Sequence, residues 1–328
     1  MRRPHIVVIG SLNLDLIAEV DRLPDQGETV LGKKAHMLPG GKGANQAVAA
    51  RRLGAEVSFI GAVGRDAFGA RLLEALRTEG IGTEGVKVVP DEGSGLAFIT
   101  LAERDNRIIV VPGANARLTP DDVDRQAALI RAADVVLVQL EIPLEAVEKA
   151  VELARRYGVR VILNPAPARP LPAALLRAVD VLTPNRLELR VVNDLPPAVE
   201  APAKGEPAAV EAPEEEESAA LEAGVRALLA RGVSSVVVTL GAEGAAYAIR
   251  DAHGDLGRLH RVPAVRVPVR DTTGAGDAFN GALAVALAEG RPLGEAVRMA
   301  NRAAAIKVTR FGAQAGMPTR AELERWQE

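Results

Sequence analysis

Gly274-Ala275-Gly276-Asp277 places three small residues and a carboxylate between a short extended run and an Ala/Leu-rich segment of helical spacing. Backbone N–H groups at such a helix start point outward and form an anion site. A carboxylate in the first turn suits the helix dipole, yet it repels bound phosphate. Taking a proton from an attacking hydroxyl would give it a reason to be there. The plain alternative makes Asp277 an N-cap after a glycine turn, and residues elsewhere must separate the two. Asn13 and Asp15 alternate with leucines just after the apolar run 6–10, so both lie on one face of an extended segment and can hold hydroxyls. In Gly41-Lys42-Gly43-Ala44-Asn45 the glycines let a ligand approach the backbone, and Lys42 and Asn45 enter the first turn of a helix. A glycine turn before an alanine-rich helix explains the glycines but not the Lys42/Asn45 pair. The stretch is not a Walker A loop, because glycine follows Lys42 and the upstream glycine spacing is missing.

The elements that must position these groups are legible from about residue 119 onward. Apolar runs at 134–140, 160–164, 179–183 and 234–240 alternate with helix-like segments such as 144–157 and 221–231. That pattern argues for a parallel sheet with helices on both faces. The runs end in polar residues: Gln139 and Glu141, Asn164, Thr183 with Asn185 and Glu188, and Thr239 before Gly241 and Gly244. Ligands bind beyond the carboxyl ends of such strands, so these groups converge on the edge that also holds Asn13 and Asp15. Helices are expected at 277–289 and 293–309, then a turn at 310–316 and a last helix to Trp326. Extended pieces within about 14–38 and 96–112 have no partnering helices and read as a small β-sheet, a lid or a dimer surface. Residues 193–218 are dense in Pro, Ala and Glu and read as a flexible insertion, or as a helical extension nucleated after Pro213.

Bulk composition excludes several classes. The 328 residues suit one large α/β domain, 48% hydrophobic and 25% charged. A net charge of −3 with interspersed signs offers no basic stripe for nucleic acid. No apolar run approaches the ~20 residues of a membrane-spanning helix. The first residues lead straight into a strand-like run without a secretory signal, so a cytoplasmic protein is expected. Without cysteine there is no disulfide or thiolate site, and the four histidines have no metal-ligand spacing.

Taken together, these stretches resemble the ribokinase-like carbohydrate and nucleoside kinases nearly end to end, residues 193–218 apart. The resemblance rests on residues 10–15, 40–47, 139–141, 164–169, 183–185 and 271–277. It implies an α/β three-layer sandwich with a mostly parallel central sheet and a β-lid. It also implies ATP-dependent phosphorylation of D-ribose at O5, with Mg²⁺, activating K⁺, and a homodimer joined through the lid. Asp277 would be the base, and the amides of Gly274, Ala275 and Gly276 the anion hole. Asn13, Asp15, Gly41, Lys42, Asn45 and Glu141 would hold the sugar. Asn185, Thr239, Gly241, Gly244 and Gly276 would lie along the nucleotide, with Asn301 near its adenine, and Glu188 would orient magnesium through water. Potassium would sit among Asp271 and the backbone of Thr273, Lys307, Arg310, Gly312 and Gly316. Two departures stand out: family members often carry Ser at the position of Gly316, and residues 189–193 lack the usual Leu-Thr-Gly ending. Rival readings are a kinase of another small sugar, sugar acid or nucleoside, and a catalytically silent regulator on the same fold.

Overall fold

The computed structural model describes residues 2–102, 105–195, 214–251 and 256–326. Its central sheet joins β1 (His5–Ile9), β4 (Glu56–Gly64), β5 (Gly82–Val89), β8 (Val135–Val138), β9 (Arg160–Leu163), β10 (Val181–Leu182), β11 (Ser235–Thr239), β12 (Ala245–Ile249) and β13 (His260–Val262). Their order is β13-β12-β11-β10-β9-β8-β1-β4-β5. All pairings are parallel except those of β12 with β11 and β13. The turn from Thr239 to Ala245 is too short for a crossover, so β12 must come back antiparallel. Sequence reading passes over β4, β5, β12 and β13.

The strands are apolar on both faces because helices cover both. Val135 and Leu137 pack into one core cluster while Val136 and Val138 pack into the other. Two core layers around one sheet make the expected α/β three-layer sandwich. On the first face lie α1 (Lys42–Arg52), α5 (Ala275–Ala288) and α6 (Leu293–Val308); on the second lie α2 (Leu144–Tyr157), α3 (Arg186–Val192) and α4 (Glu214–Ala230). Helix α2 buries Ala146, Val147, Ala150, Val151, Leu153 and Ala154, a helical stripe, and stops at Gly158, whose φ of 70° L-residues rarely adopt. Helix α5 is buried on nearly every side. Its contact with α1 runs through Gly281, where a Cβ would stand 2.6 Å from the Ala49 Cβ and 2.9 Å from the Gln46 carbonyl oxygen.

A second sheet of order β3-β2-β6-β7 is built from β2 (Asn13–Glu19), β3 (Lys34–Gly40), β6 (Gly95–Ala102) and β7 (Asp105–Val111). It carries Asn13 and Asp15, so these two belong to the small sheet and not to the end of a central strand. Gly40 pairs with Asn13, which joins the small sheet to the start of α1. Exposed on this sheet are Met37, Phe98, Ile108, Ile109, Val110 and Val111.

The helical alternative for residues 193–218, an extension after Pro213, is met from Glu214 on, and the flexible reading is corrected at its ends. Residues 214–218 belong to α4, so the Glu run is helical, and Asn193 is the C-cap of α3 with its amide donating to the Gly224 carbonyl oxygen (3.0 Å). The stretch 196–213 lies outside the described residues, as do Glu103 and Arg104 of the expected lid turn. Among the described residues no helix is long and apolar enough to cross a membrane.

Candidate active site

Helix α1 begins without a side-chain cap; its Gly41, at φ 90°, stands where a Cβ would meet the Asn13 amide and the Ser11 carbonyl. Other groups satisfy the helix start. Ala44 N–H donates to the Ser11 carbonyl oxygen (3.0 Å), Gly43 N–H to Ser11 Oγ (3.3 Å), and Lys42 N–H to Glu141 Oε2 (3.1 Å). Ser11 Oγ donates to the same Glu141 oxygen (2.5 Å). The strand ends of β1 and β8 are thereby tied to the helix that carries Lys42, Asn45 and Gln46.

Asp277, in the first turn of α5, is buried and faces that helix. Its Oδ2 accepts from Asn45 Nδ2 (2.9 Å) and its Oδ1 from Gln46 Nε2 (3.0 Å). Gln46 also donates to Asn164 Oδ1 (3.1 Å) and accepts from Gln139 Nε2 (2.6 Å), so its amide is fully used. Asn164 continues to the Thr183 carbonyl (3.0 Å), Thr183 Oγ1 to Asn280 Oδ1 (2.6 Å), and Asn280 Nδ2 returns to the Gly276 carbonyl (2.9 Å). This closed polar chain locks the Asp277 carboxylate to three strand ends. Asp277 is therefore not an N-cap: its carboxylate is held by another helix, and the N-cap is Gly274, in the left-handed region at φ 77°.

The helix start of α5 offers anion donors with one change from expectation. Ala275 N–H closes a turn onto the Thr272 carbonyl oxygen (3.1 Å), which takes it out of the anion hole. The amides of Gly274, Gly276 and Asp277 have no backbone acceptor among the described residues, and nothing lies within 4 Å of where a Cβ on Gly276 would stand. That open space before a helix dipole fits a phosphoryl group.

Around this centre two acceptors await donors. The Asp15 carboxylate is buried against Gly40, where no Cβ would fit, and no protein group among the described residues donates to it. Burial, then the charges of Glu141 and Asp277, push its pKa up to about 7. Asn45 Oδ1 is likewise buried with no partner. Asn13 Oδ1 accepts from Asn115 Nδ2 (2.8 Å), and Asn115 also clasps the Leu12 backbone. Burial works against the charge on Lys42, but Asp277, Glu141 and Glu188 outweigh it and raise its pKa. Buried carboxyls and amides short of donors suit a polyhydroxyl ligand.

The nucleotide-side expectations gather at the neighbouring strand ends. Asn185 bridges to Thr239, and Gly244 packs so tightly on the backbone at Val262 and Pro263 that no Cβ fits. Asn185 and Glu188 form a capping box at α3, with Asn185 N–H donating to Glu188 Oε2 (2.8 Å). Burial raises the Glu188 pKa, against its bond to Asn185 and the attraction of Lys42. Asn301 is buried, with Nδ2 donating to the carbonyls of Val262 (3.1 Å) and Pro263 (3.3 Å), so its amide nitrogen shapes the wall.

The residues expected around potassium also come together, but with a lysine ammonium among them. Lys307 Nζ donates to the Asp271 carbonyl oxygen (2.8 Å) and reaches the Arg310 carbonyl (3.5 Å), with Asp271 Oδ2 at 3.7 Å. The Lys307 carbonyl accepts from Arg310 N–H (3.0 Å) and the Gly312 carbonyl from Gly316 N–H (3.2 Å). This set does not fit a bound potassium ion. Ser11, Gln46, Asn115 and Asn280 are site residues that have no role in the sequence-based expectations.

Residues 3–320 match the model of the pfkB family carbohydrate kinases. The chain belongs to that family. It is 42% identical to a ribokinase of Bacillus subtilis over 320 residues, 98% of each chain. It is 36% identical to a deoxyribokinase of Salmonella typhimurium, over 96% of this chain and 95% of that one. Its fold matches the structure of Arabidopsis thaliana ribokinase complexed with ribose and ATP, with a TM-score of 0.81, 34% identity, and 99% and 98% of the two chains covered. The family carries the resemblance read from the sequence: an ATP-dependent sugar kinase.

Proposed function

We propose that the chain phosphorylates D-ribose at O5 with ATP. The observation that carries the reading is Asp277, fixed by Asn45 and Gln46 in front of the open Gly276 amide and beside the donor-less Asp15. Asp15, Asn13, Gly41, Lys42, Asn45 and Glu141 hold the sugar. Glu141 makes both its protein bonds through Oε2, so Oε1 is free for a hydroxyl. Asp277 accepts the proton of the 5-hydroxyl as the oxygen attacks the terminal phosphorus of ATP, and ADP leaves. The amides of Gly274, Gly276 and Asp277 hold the transferring oxygens. Phosphoryl transfer through a loose transition state needs such positioning and charge neutralisation, not covalent chemistry by the protein.

ATP lies along Asn185, Thr239, Gly241 and Gly244, with Asn301 behind the base. Among the described residues no group of three or more acidic or His side chains could hold a metal alone. Magnesium would be carried by phosphate oxygens and water, since this ion keeps several waters and needs one or two carboxylates. Glu188 is the buried carboxylate available to it, through water. When bound, magnesium neutralises charge between the phosphates.

The small sheet supports a homodimer, because β7 leaves Ile108, Ile109, Val110 and Val111 exposed beside Phe98. Use of ATP as phosphoryl donor supports a cytoplasmic location. Phosphorus NMR of the product from D-ribose and Mg-ATP tests the reading: a single phosphomonoester at O5 is expected, and phosphate at O1 or none at all would refute it.

A further inference from the structure

The backbone that would enclose a monovalent cation beside the anion hole is Asp271 to Gly274 and Lys307 to Gly316. Lys307 is completely buried, in the last turn of α6, yet its side chain turns inward under this loop. Its ammonium nitrogen donates to the carbonyls of Asp271 and Arg310 and lies 3.7 Å from the Asp271 carboxylate. Asp271 in turn accepts from Thr273 N–H (2.9 Å) and Gly312 N–H (2.7 Å), so it staples the loop leading to Gly274 onto the segment after α6. Gly316 lies against the lysine's course: a Cβ there would stand 3.1 Å from Lys307 Cε and 3.4 Å from Arg310 Cβ, so the lysine end would have to give by a few tenths of an ångström. Lysine at 307 and glycine at 316 are thus neighbours in one arrangement, with glycine leaving the lysine its room.

We infer that the Lys307 ammonium takes the place of an activating monovalent cation, so that this chain carries its cation covalently and works without potassium. A compact ammonium with three donors can satisfy carbonyl and carboxylate oxygens that a bare ion would otherwise neutralise. The tethered charge balances Asp271 and fixes the loop presenting the Gly274 and Gly276 amides. Burial draws the lysine below its usual range while Asp271 and, more weakly, Asp277 oppose that.

This inference rests on the kinase reading for its catalytic consequence but not for its structural one, and two readouts keep them apart. The first is the melting temperature of the unliganded protein in tetramethylammonium chloride against potassium chloride at equal ionic strength. The second is ribose-dependent ADP release in the same salts. For the unaltered protein neither should change with potassium. Lys307→Met should lose roughly 10- to 100-fold of turnover, the weight of one preorganised charge near the reacting group. The double variant Lys307→Ala, Gly316→Ser, which clears the ammonium and restores an oxygen, should melt higher in potassium and regain turnover with it. Potassium raising the melting temperature or turnover of the unaltered protein would overturn the inference even if no variant folds. A double variant indifferent to potassium would overturn it too. If no sugar is turned over but the melting pattern holds, the kinase reading fails and the tethered cation stands.

Discussion

The amide nitrogen of Gln46 donates to Asp277 Oδ1 at 3.0 Å from a residue 231 positions away in the chain, and it is one of two donors that orient the carboxylate. Gln46 is a positioning residue with every polar atom engaged. Gln46→Leu leaves Asp277 with Asn45 alone and Asn164 Oδ1 without its donor. Turnover should fall about 10- to 100-fold, the scale of a misplaced reacting group, with the ribose KM little changed. Steady-state kinetics check this; a raised KM at constant turnover would make Gln46 part of the sugar pocket instead.

The packing of α1 on α5 holds both ends of that bond. Gly281→Ala would set a Cβ 2.6 Å from the Ala49 Cβ. Neither side is a flexible chain end, so the helices must part. An overpacking cost of about 1–3 kcal/mol is expected in chemical denaturation, and turnover should drop along with it. A variant of unaltered stability would show that the two helices can shift freely.

Asp15 links function to stability through pH. Its pKa rises from 3.8 unfolded to about 7 folded, so folding takes up a proton between those values. The stability it gives is fully present below about pH 4 and is lost as pH rises through 7. At ~1.4 kcal/mol per decade of proton affinity, the buried charge costs at most about 4 kcal/mol above pH 8. Asp15→Asn should therefore melt higher than the unaltered protein at pH 8.5, with the difference shrinking as pH falls through 7 toward 5 and vanishing only below about pH 4, while its ribose KM rises. Equal melting temperatures at both pH values would contradict the donor-less carboxylate.

Asp277→Asn keeps both neighbours hydrogen-bonded in part but removes the proton acceptor. Turnover should fall ~10²–10⁴-fold, the usual weight of a general base, with ribose still bound in calorimetry. Near-normal turnover would remove Asp277 from the mechanism.

The sequence carries what depends on local pattern. The alternating apolar runs give the sheet, Gly274-Ala275-Gly276-Asp277 gives the helix start and its carboxylate, and the polar strand ends give the edge of the site. Long-range geometry is hidden from it. Gln46 looks like any polar residue in an alanine-rich helix until α5 packs across it, and Ser11 becomes a cap only because α1 starts without one. Lys307 reads as one more carbonyl beside the cation site, since the path of its side chain depends on the turn that brings the Asp271 and Arg310 carbonyls over it. Ala275 reads as an anion-hole donor, but the turn that lifts Gly274 into the left-handed region uses its N–H. Glu214 lies in a Pro/Glu-rich stretch, yet α4 begins there.

The most direct measurement is ADP release with Mg-ATP across D-ribose, 2-deoxyribose, fructose, 2-keto-3-deoxygluconate and adenosine, compared as kcat/KM. A ribose hydroxyl that meets a buried acceptor such as Asn45 Oδ1 should make D-ribose the best substrate, ahead of 2-deoxyribose. A higher kcat/KM for any of the others, or turnover of none, would contradict the account.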